Sequence, residues 1–174
     1  MSELSLYDLN SRETWQKLLD EIQSALELPA GLFDPKNILL HSSGEHNGLC
    51  REIRCRKKAK QIICGQSQQF MAQMARTQKS FVVEICEAGM AKFVVPVFRD
   101  QNYLGSITAC GCMLPETEIE TFFIEKTTDI GGGAIVGGHS GCRLEADTAQ
   151  VSKIHYRSND LCNSHVQSAF AIIC

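Results

Sequence analysis

The stretch Cys86-Glu87-Ala88-Gly89-Met90-Ala91-Lys92-Phe93-Val94-Val95-Pro96-Val97-Phe98 decides the fold. It reads as the end of one strand, a tight turn at Gly89, and a second, apolar strand over residues 92–98. Upstream, residues 80–86 are rich in β-formers. Downstream, Arg99-Asp100-Gln101-Asn102 is a polar turn, and residues 103–110 return through Tyr103-Leu104-Gly105 to Cys110-Gly111-Cys112. The pattern predicts three neighbouring antiparallel strands. Pro96 has no N–H for a ladder, so it predicts an edge or bulged position.

Toward the N-terminus the period changes. Asn10 and Glu13 form a candidate capping pair, and Trp15, Leu18, Leu19, Ile22 and Leu26 recur at helical spacing. Pro29 and Gly31 stop that helix. Residues 30–33 and 38–41 flank Asp34-Pro35-Lys36-Asn37, which is sound hairpin chemistry. A polar loop leads to a helical block over residues 48–78. Its first part is basic, with Arg51, Arg54, Arg56, Lys57, Lys58 and Lys60, and reads as a solvated helix face; no aromatic residues interleave. Ala59, Ile62, Ile63, Phe70, Met71 and Met74 then form an apolar stripe. A Met-rich stripe is adaptable core, and it also suits a pocket for a small organic ligand. Residues 118–126 read as a further helix with one apolar face. The class is α+β, with a PAS- or GAF-like antiparallel sheet covered on one face by helices.

With 174 residues, the chain matches one domain with a substantial core. Its net charge of −3 offers no support for a nucleic-acid partner. No apolar run approaches the roughly 20 residues that span a bilayer, and the mixed, acidic N-terminus does not read as a signal peptide. A cytoplasmic protein without a membrane partner is expected.

Nine cysteines then need a reading. In a reducing compartment they are buried apolar thiols, metal ligands or a redox switch. Cys50, Cys64 and Cys86 stand out by their place among the elements. Cys110 and Cys112 close the last strand, and strand alternation puts both on one face.

Residues 48–129 resemble the PocR-type ligand-binding sensory domain, a PAS-like family of bacterial signalling proteins. The resemblance is carried by Leu49-Cys50-Arg51-Glu52-Ile53-Arg54, Cys64, Cys86-Glu87-Ala88-Gly89-Met90 and Phe93-Val94-Val95-Pro96-Val97. Tyr103-Leu104-Gly105 and Cys110-Gly111 complete it. It implies a sensor of small organic molecules, with Cys86, Gly89, Phe93, Met71 and Met74 lining the ligand pocket. No output module is recognised, so the signal is expected to pass to a homodimer partner or a separate signalling protein. Where the family's closing segment often has Gly-Gln, this chain has Ala109-Cys110, which makes a version with four cysteines.

Those four, Cys50, Cys64, Cys86 and Cys110, have the chemistry of a tetrahedral zinc site or an iron–sulfur cluster. A packed thiol cluster, a sulfur-lined ligand pocket and a reversible disulfide are the competing readings. Cys55 and Cys112 are spare candidates. The four are expected to converge beside the sheet.

Enzyme chemistry finds little footing. No Gly-x-Ser-x-Gly, His-Glu-x-x-His or dinucleotide fingerprint is present. A thiol-based redox switch or thiol oxidoreductase is the main alternative to a sensor, but it lacks Cys-x-x-Cys. Residues 1–130 are read as the sensory domain. Residues 131–174, crowded with glycine at the start and without sustained periodicity, are set apart as an irregular tail.

Overall fold

The structure, a computed structural model, describes residues 4–112. The expectations placed on residues 118–126 and 131–174 lie outside the described residues.

Helix α1 spans Arg12–Leu26, and the Ser11 hydroxyl caps it by accepting from the Thr14 N–H at 3.2 Å. The cap is therefore Ser11, one residue after the expected Asn10, because the Ser11 hydroxyl reaches the open N–H groups of the first turn. The buried face of α1 is Trp15, Leu19 and Ile22. The Trp15 indole N–H donates to the Leu6 carbonyl at 2.9 Å, which anchors the preceding 3-10 turn Leu6–Asp8.

Strands β1 (Ala30–Phe33) and β2 (Leu39–Ser43) form the expected hairpin. Its turn is held by the Asp34 carboxylate, which accepts from the backbone N–H groups of Lys36 and Ile38. Next come α2 (Gly48–Cys55), α3 (Lys57–Ala59), a π-helical segment (Lys60–Gly65) and α4 (Gln66–Gln78). The chain then forms β3 (Val82–Ile85), β4 (Ala91–Arg99) and β5 (Asn102–Cys112). The five strands make one antiparallel sheet in the order β2-β1-β5-β4-β3. The fold class is α+β, as expected.

Pro96 sits on β4, between β3 and β5 in the sheet order. It is tolerated because β3 is short: the β3–β4 pairing stops at Val82 opposite Val94. Beyond that point β4 is paired with β5, Pro96 lying opposite Ser106. Gly105 has a different task. Its φ is +147°, and a Cβ there would stand 2.1 Å from the Phe33 carbonyl oxygen. Only glycine lets β5 approach β1 this closely.

Side chains alternate along β5, so its two faces can be told apart. Ile107 joins Trp15, Leu19, Ile22 and Leu32 in a core beneath α1. Thr108 and Ser106 point the other way and bond Gln68 of α4. A second core on that side gathers Met71, Ala72, Ala75, Val82 and Val94. The helices thus divide between the two faces rather than sharing one. Each long helix has its own apolar stripe, and each stripe finds its own half of the sheet: α1 packs on β1 and β2, α4 on β3 and β4.

The apolar stripe of the helical block also shifts. Ile63 and Met71 are buried, but Phe70 is 63% exposed and Gln68 is buried. The π-helical segment adds a residue to the turn, so the inward position after Ile63 falls on Gln68 rather than Ser67.

Candidate functional site

Four thiols from four separate places lie within electrostatic reach of one another on the α4 side of the sheet. Cys50 lies on α2, Cys64 on the π-helical segment, Cys86 on the β3–β4 turn and Cys110 on β5. Each is close enough to the others for their charges to act on one another.

Local structure explains each placement. Asn47 caps α2, its Oδ1 accepting from the Cys50 N–H at 2.8 Å. The same side chain donates from Nδ2 to the Gly111 carbonyl at 2.8 Å, so it ties the start of α2 to the end of β5. Cys86 opens a closed turn: its carbonyl accepts from the Gly89 N–H, and its own N–H donates to the Met90 carbonyl, both at 2.8 Å. Gly89 takes φ +74° to complete that turn, with open space where a Cβ would be. Ala88 in the turn is buried with Ile53, Ala59 and Ile63, and Leu49, Cys64 and Cys86 pack against them. The turn is therefore held under the helical block by apolar contact.

Among the thiols stands Lys92, only 6% exposed. Its register partner on β5 is Cys110, so the two side chains share a face. Its Nζ donates to the Cys64 carbonyl at 3.4 Å. Burial lowers its pKa, opposed by the charges of Cys110, Cys64 and Cys86. No carboxylate among the described residues contributes to that balance. Glu84, its register partner on β3, is exposed. Arg54 on α2 supplies a second cation that reaches Cys64, Cys110 and Lys92.

Burial dominates the thiols. It pushes Cys50 up to about 12, with Cys110, Cys86 and Cys64 adding to the effect. It also raises Cys64 and Cys110, against the pull of Arg54 and Lys92. These are protonated, weakly nucleophilic thiols at neutral pH. Among the described residues no three Cys, His, Asp or Glu side chains already stand in a metal-holding arrangement. Occupation by a metal requires the sulfurs to draw together and lose their protons.

Cys112 leaves the group. Ala91 pairs with Cys112 and Lys92 with Cys110, so Gly111 is an extra residue on β5. This bulge, at φ +111°, turns Cys112 to the face opposite Cys110. The expectation that the two thiols share a face is therefore corrected. Phe93, expected in the ligand pocket, pairs with Ala109 and faces away from Lys92, on the side of Ile107. Met71 and Met74 are on the thiol side of the sheet, but they fill the α4 core, Met71 fully buried. Of the expected ligand-lining residues, Cys86 and Gly89 are at the thiol site.

The sequence alone does not single out Lys92, Arg54 and Asn47 as site residues. For Lys92 a signal existed: strand alternation places it on the same face as the buried Val94. A separate cleft of about 540 Å³ lies between the β1–β2 turn and α4, with Asn37, Phe70, Arg76 and Tyr103 in its wall. None of the sequence-predicted site residues lines it. No helix among the described residues is long and apolar enough to cross a membrane.

No curated protein matches this chain. A family model described as the sensory domain found in PocR matches residues 8–168. The match begins well before the stretch that carried the resemblance and runs on through most of residues 131–174. The chain belongs to the PocR sensory-domain family.

Proposed function

We propose that this sensory domain senses through the Cys50, Cys64, Cys86 and Cys110 site, and that its occupant is a metal centre held by the four thiolates, zinc or an iron–sulfur cluster. The observation that carries the reading is that four thiols from four elements lie within electrostatic reach of one another and of a buried lysine whose charge no carboxylate among the described residues is seen to balance. An apolar thiol cluster accounts for the sulfurs but not for burying a cation among them. Four thiolates on one zinc ion bring a net charge of −2 to meet that cation.

The same geometry supplies a signal. The sulfurs belong to α2, the π-helical segment, the β3–β4 turn and β5. Metal binding draws these elements together, so occupancy becomes a shift of the helical block against the sheet. The shift is passed to a second copy or to a separate signalling protein. The domain binds and reports, without turning over a substrate. Its raised thiol pKa values speak against a thiol oxidoreductase, which needs an exposed, low-pKa sulfur.

The test is anaerobic purification of the full chain, then metal analysis and absorption spectra after adding zinc, or iron with sulfide. Stoichiometric metal in the wild type, lost in Cys86→Ser and kept in Cys112→Ser, is the expected result. A wild-type chain that takes up neither metal overturns the reading. A small organic ligand at the same site is the second reading, favoured by Lys92 and Arg54, which would pair with an organic anion.

A further inference from the structure

We infer that the cleft between the β1–β2 turn and α4 is a second binding site, and that it takes a small organic carboxylate with a hydroxyl or amino group on an apolar body. The cleft shares no wall residue with the thiol site, so the inference stands whether or not that site holds a metal.

At about 540 Å³ the cleft falls within the usual size of a small-molecule site, roughly 300–1,000 Å³. Two of its wall residues carry polar atoms that the fold leaves unpaired. The Asn37 Oδ1 and the Tyr103 hydroxyl oxygen are both buried without a hydrogen-bond partner. Such atoms cost stability. The Ser106 hydroxyl, near enough to influence the phenol, is bonded to Gln68 instead. Asn37 has a backbone reason to be asparagine, since its φ is +62°. Tyr103 has none: a phenylalanine would keep the ring and its edge contact with Phe98 without burying an unpaired hydroxyl.

A ligand gives the reason, and the other wall residues say which kind. Arg76 lies over the Tyr103 ring, its guanidinium carbon 5.2 Å from the centroid, and Lys36 adds a second cation from the turn. Among the described residues neither is in an ion pair with a carboxylate. Asp34, the acid of that turn, accepts from the Lys36 and Ile38 N–H groups and so serves the backbone. Phe70, 63% exposed, offers a flat apolar surface. The π-helical segment that turns Gln68 inward is what leaves Phe70 outward, and such irregularities recur at functional sites. The ligand's carboxylate meets Arg76 and Lys36, the guanidinium fork matching its two oxygens. Its body lies against Phe70. Its hydroxyl or amino hydrogen goes to Asn37 Oδ1, which can only accept. As Arg76 leaves the Tyr103 ring for the carboxylate, the phenol is uncovered and donates to the ligand.

The test is an amide NMR titration of the full chain with para-hydroxybenzoate, para-hydroxyphenylacetate and beta-hydroxybutyrate. At least one is expected to bind with a Kd below about 1 mM and to shift the signals of Asn37 and Phe70. The methyl ester of that acid, which lacks the charge, and the variant Arg76→Gln should each weaken binding at least about tenfold. Tyr103→Phe should weaken it about threefold or more, while its ligand-free melting temperature stays equal or rises. Arg54→Gln, at the thiol site, should bind as the wild type does. Failure of all three acids to bind at about 5 mM overturns the inference and leaves the thiol site standing. An ester that binds as tightly as its acid overturns it too. Binding lost in Arg54→Gln but kept in Arg76→Gln would move the anion to the thiol site and overturn the cleft. A Tyr103→Phe protein that melts lower without ligand would show that the phenol already serves the fold, and that also overturns the inference.

Discussion

Asn47 and Gly111 are joined by a 2.8 Å hydrogen bond from Nδ2 to the carbonyl oxygen, across 64 positions of sequence. The same amide caps α2 through the Cys50 N–H. One side chain thus fixes both the helix that carries Cys50 and the strand end that carries Cys110. Asn47→Ala is expected to cost about 1–3 kcal/mol, as the sum of a lost cap and a lost tether. Asn47→Asp keeps the cap acceptor but not the Nδ2 donor and should recover only part of that loss. Denaturant midpoints of the three proteins check this; an alanine variant as stable as the wild type would remove Asn47 from the account.

Gly105 tests the β1–β5 contact. Gly105→Ala places a methyl group against the Phe33 carbonyl at a backbone angle that side chains rarely adopt. Neither strand can retreat without breaking the ladder. The substitution is expected to destabilise by more than about 3 kcal/mol or to prevent folding. Soluble protein with an unchanged melting temperature would show that β1 and β5 are not this close.

Gln68 tests the polar centre under α4. Its amide donates to the Ser106 hydroxyl at 3.3 Å, and its carbonyl accepts from the Thr108 hydroxyl at 3.1 Å. Gln68→Leu strands both hydroxyls and should cost about 2–4 kcal/mol. Adding Thr108→Val removes one stranded hydroxyl and should recover stability. A second substitution that only adds to the loss would contradict the pairing.

His46 predicts a pH dependence. Burial lowers its pKa to about 4, with Arg54 and Lys60 adding to the effect. The unfolded chain therefore binds a proton on His46 at a pH where the folded chain does not. Stability follows the sign of that difference: it is present above the unfolded value near 6.5 and is lost as pH falls toward 4. His46 is half-buried, so partial screening by solvent leaves an effect of about 1 kcal/mol. His46→Gln should flatten the melting temperature between pH 6.5 and 4; an unaltered slope there would assign the loss to other groups.

The thiols predict slow chemistry. With Cys50 near 12, its thiolate fraction at pH 8 is at least about a hundredfold below that of an unfolded cysteine. Alkylation of the native, metal-free chain by iodoacetamide, mapped by peptide mass, should leave Cys50, Cys64 and Cys110 the slow sites relative to the unfolded protein. Rapid modification of Cys50 in the folded chain would restore the redox-switch alternative.

The strands were legible because each is a short apolar run bounded by turn chemistry. Asp34-Pro35-Lys36-Asn37 and Gly89 mark the turns at which the backbone must bend, and the structure bends there. The helical block was less so, because a stripe of period 3.6 assumes one helix type throughout. The π-helical segment breaks that assumption between Ile63 and Gln68, so Phe70, inward by a 3.6 period, stands in solvent. The thiol group was legible as residues, but its charged members were not. Lys92 is one cation at the start of an apolar strand, and only the register shows that it lies inward beside Cys110. Arg54 was absorbed into a basic helix face, because a sequence does not say which of several cations turns toward a sulfur.

The bulge at Gly111 has a consequence for how a Cys-x-Cys string is to be understood. On a flat strand such a string is a two-toothed grip: both sulfurs reach the same object. Here one inserted residue splits the grip, sending Cys110 toward the buried lysine and Cys112 to the far side of the sheet. The spacing in the chain is unchanged, yet the two thiols point to opposite faces of the sheet. With the two sulfurs on opposite faces, a disulfide between them is out of reach while the bulge persists. A single extra glycine therefore separates Cys110 from its nearest sibling in sequence.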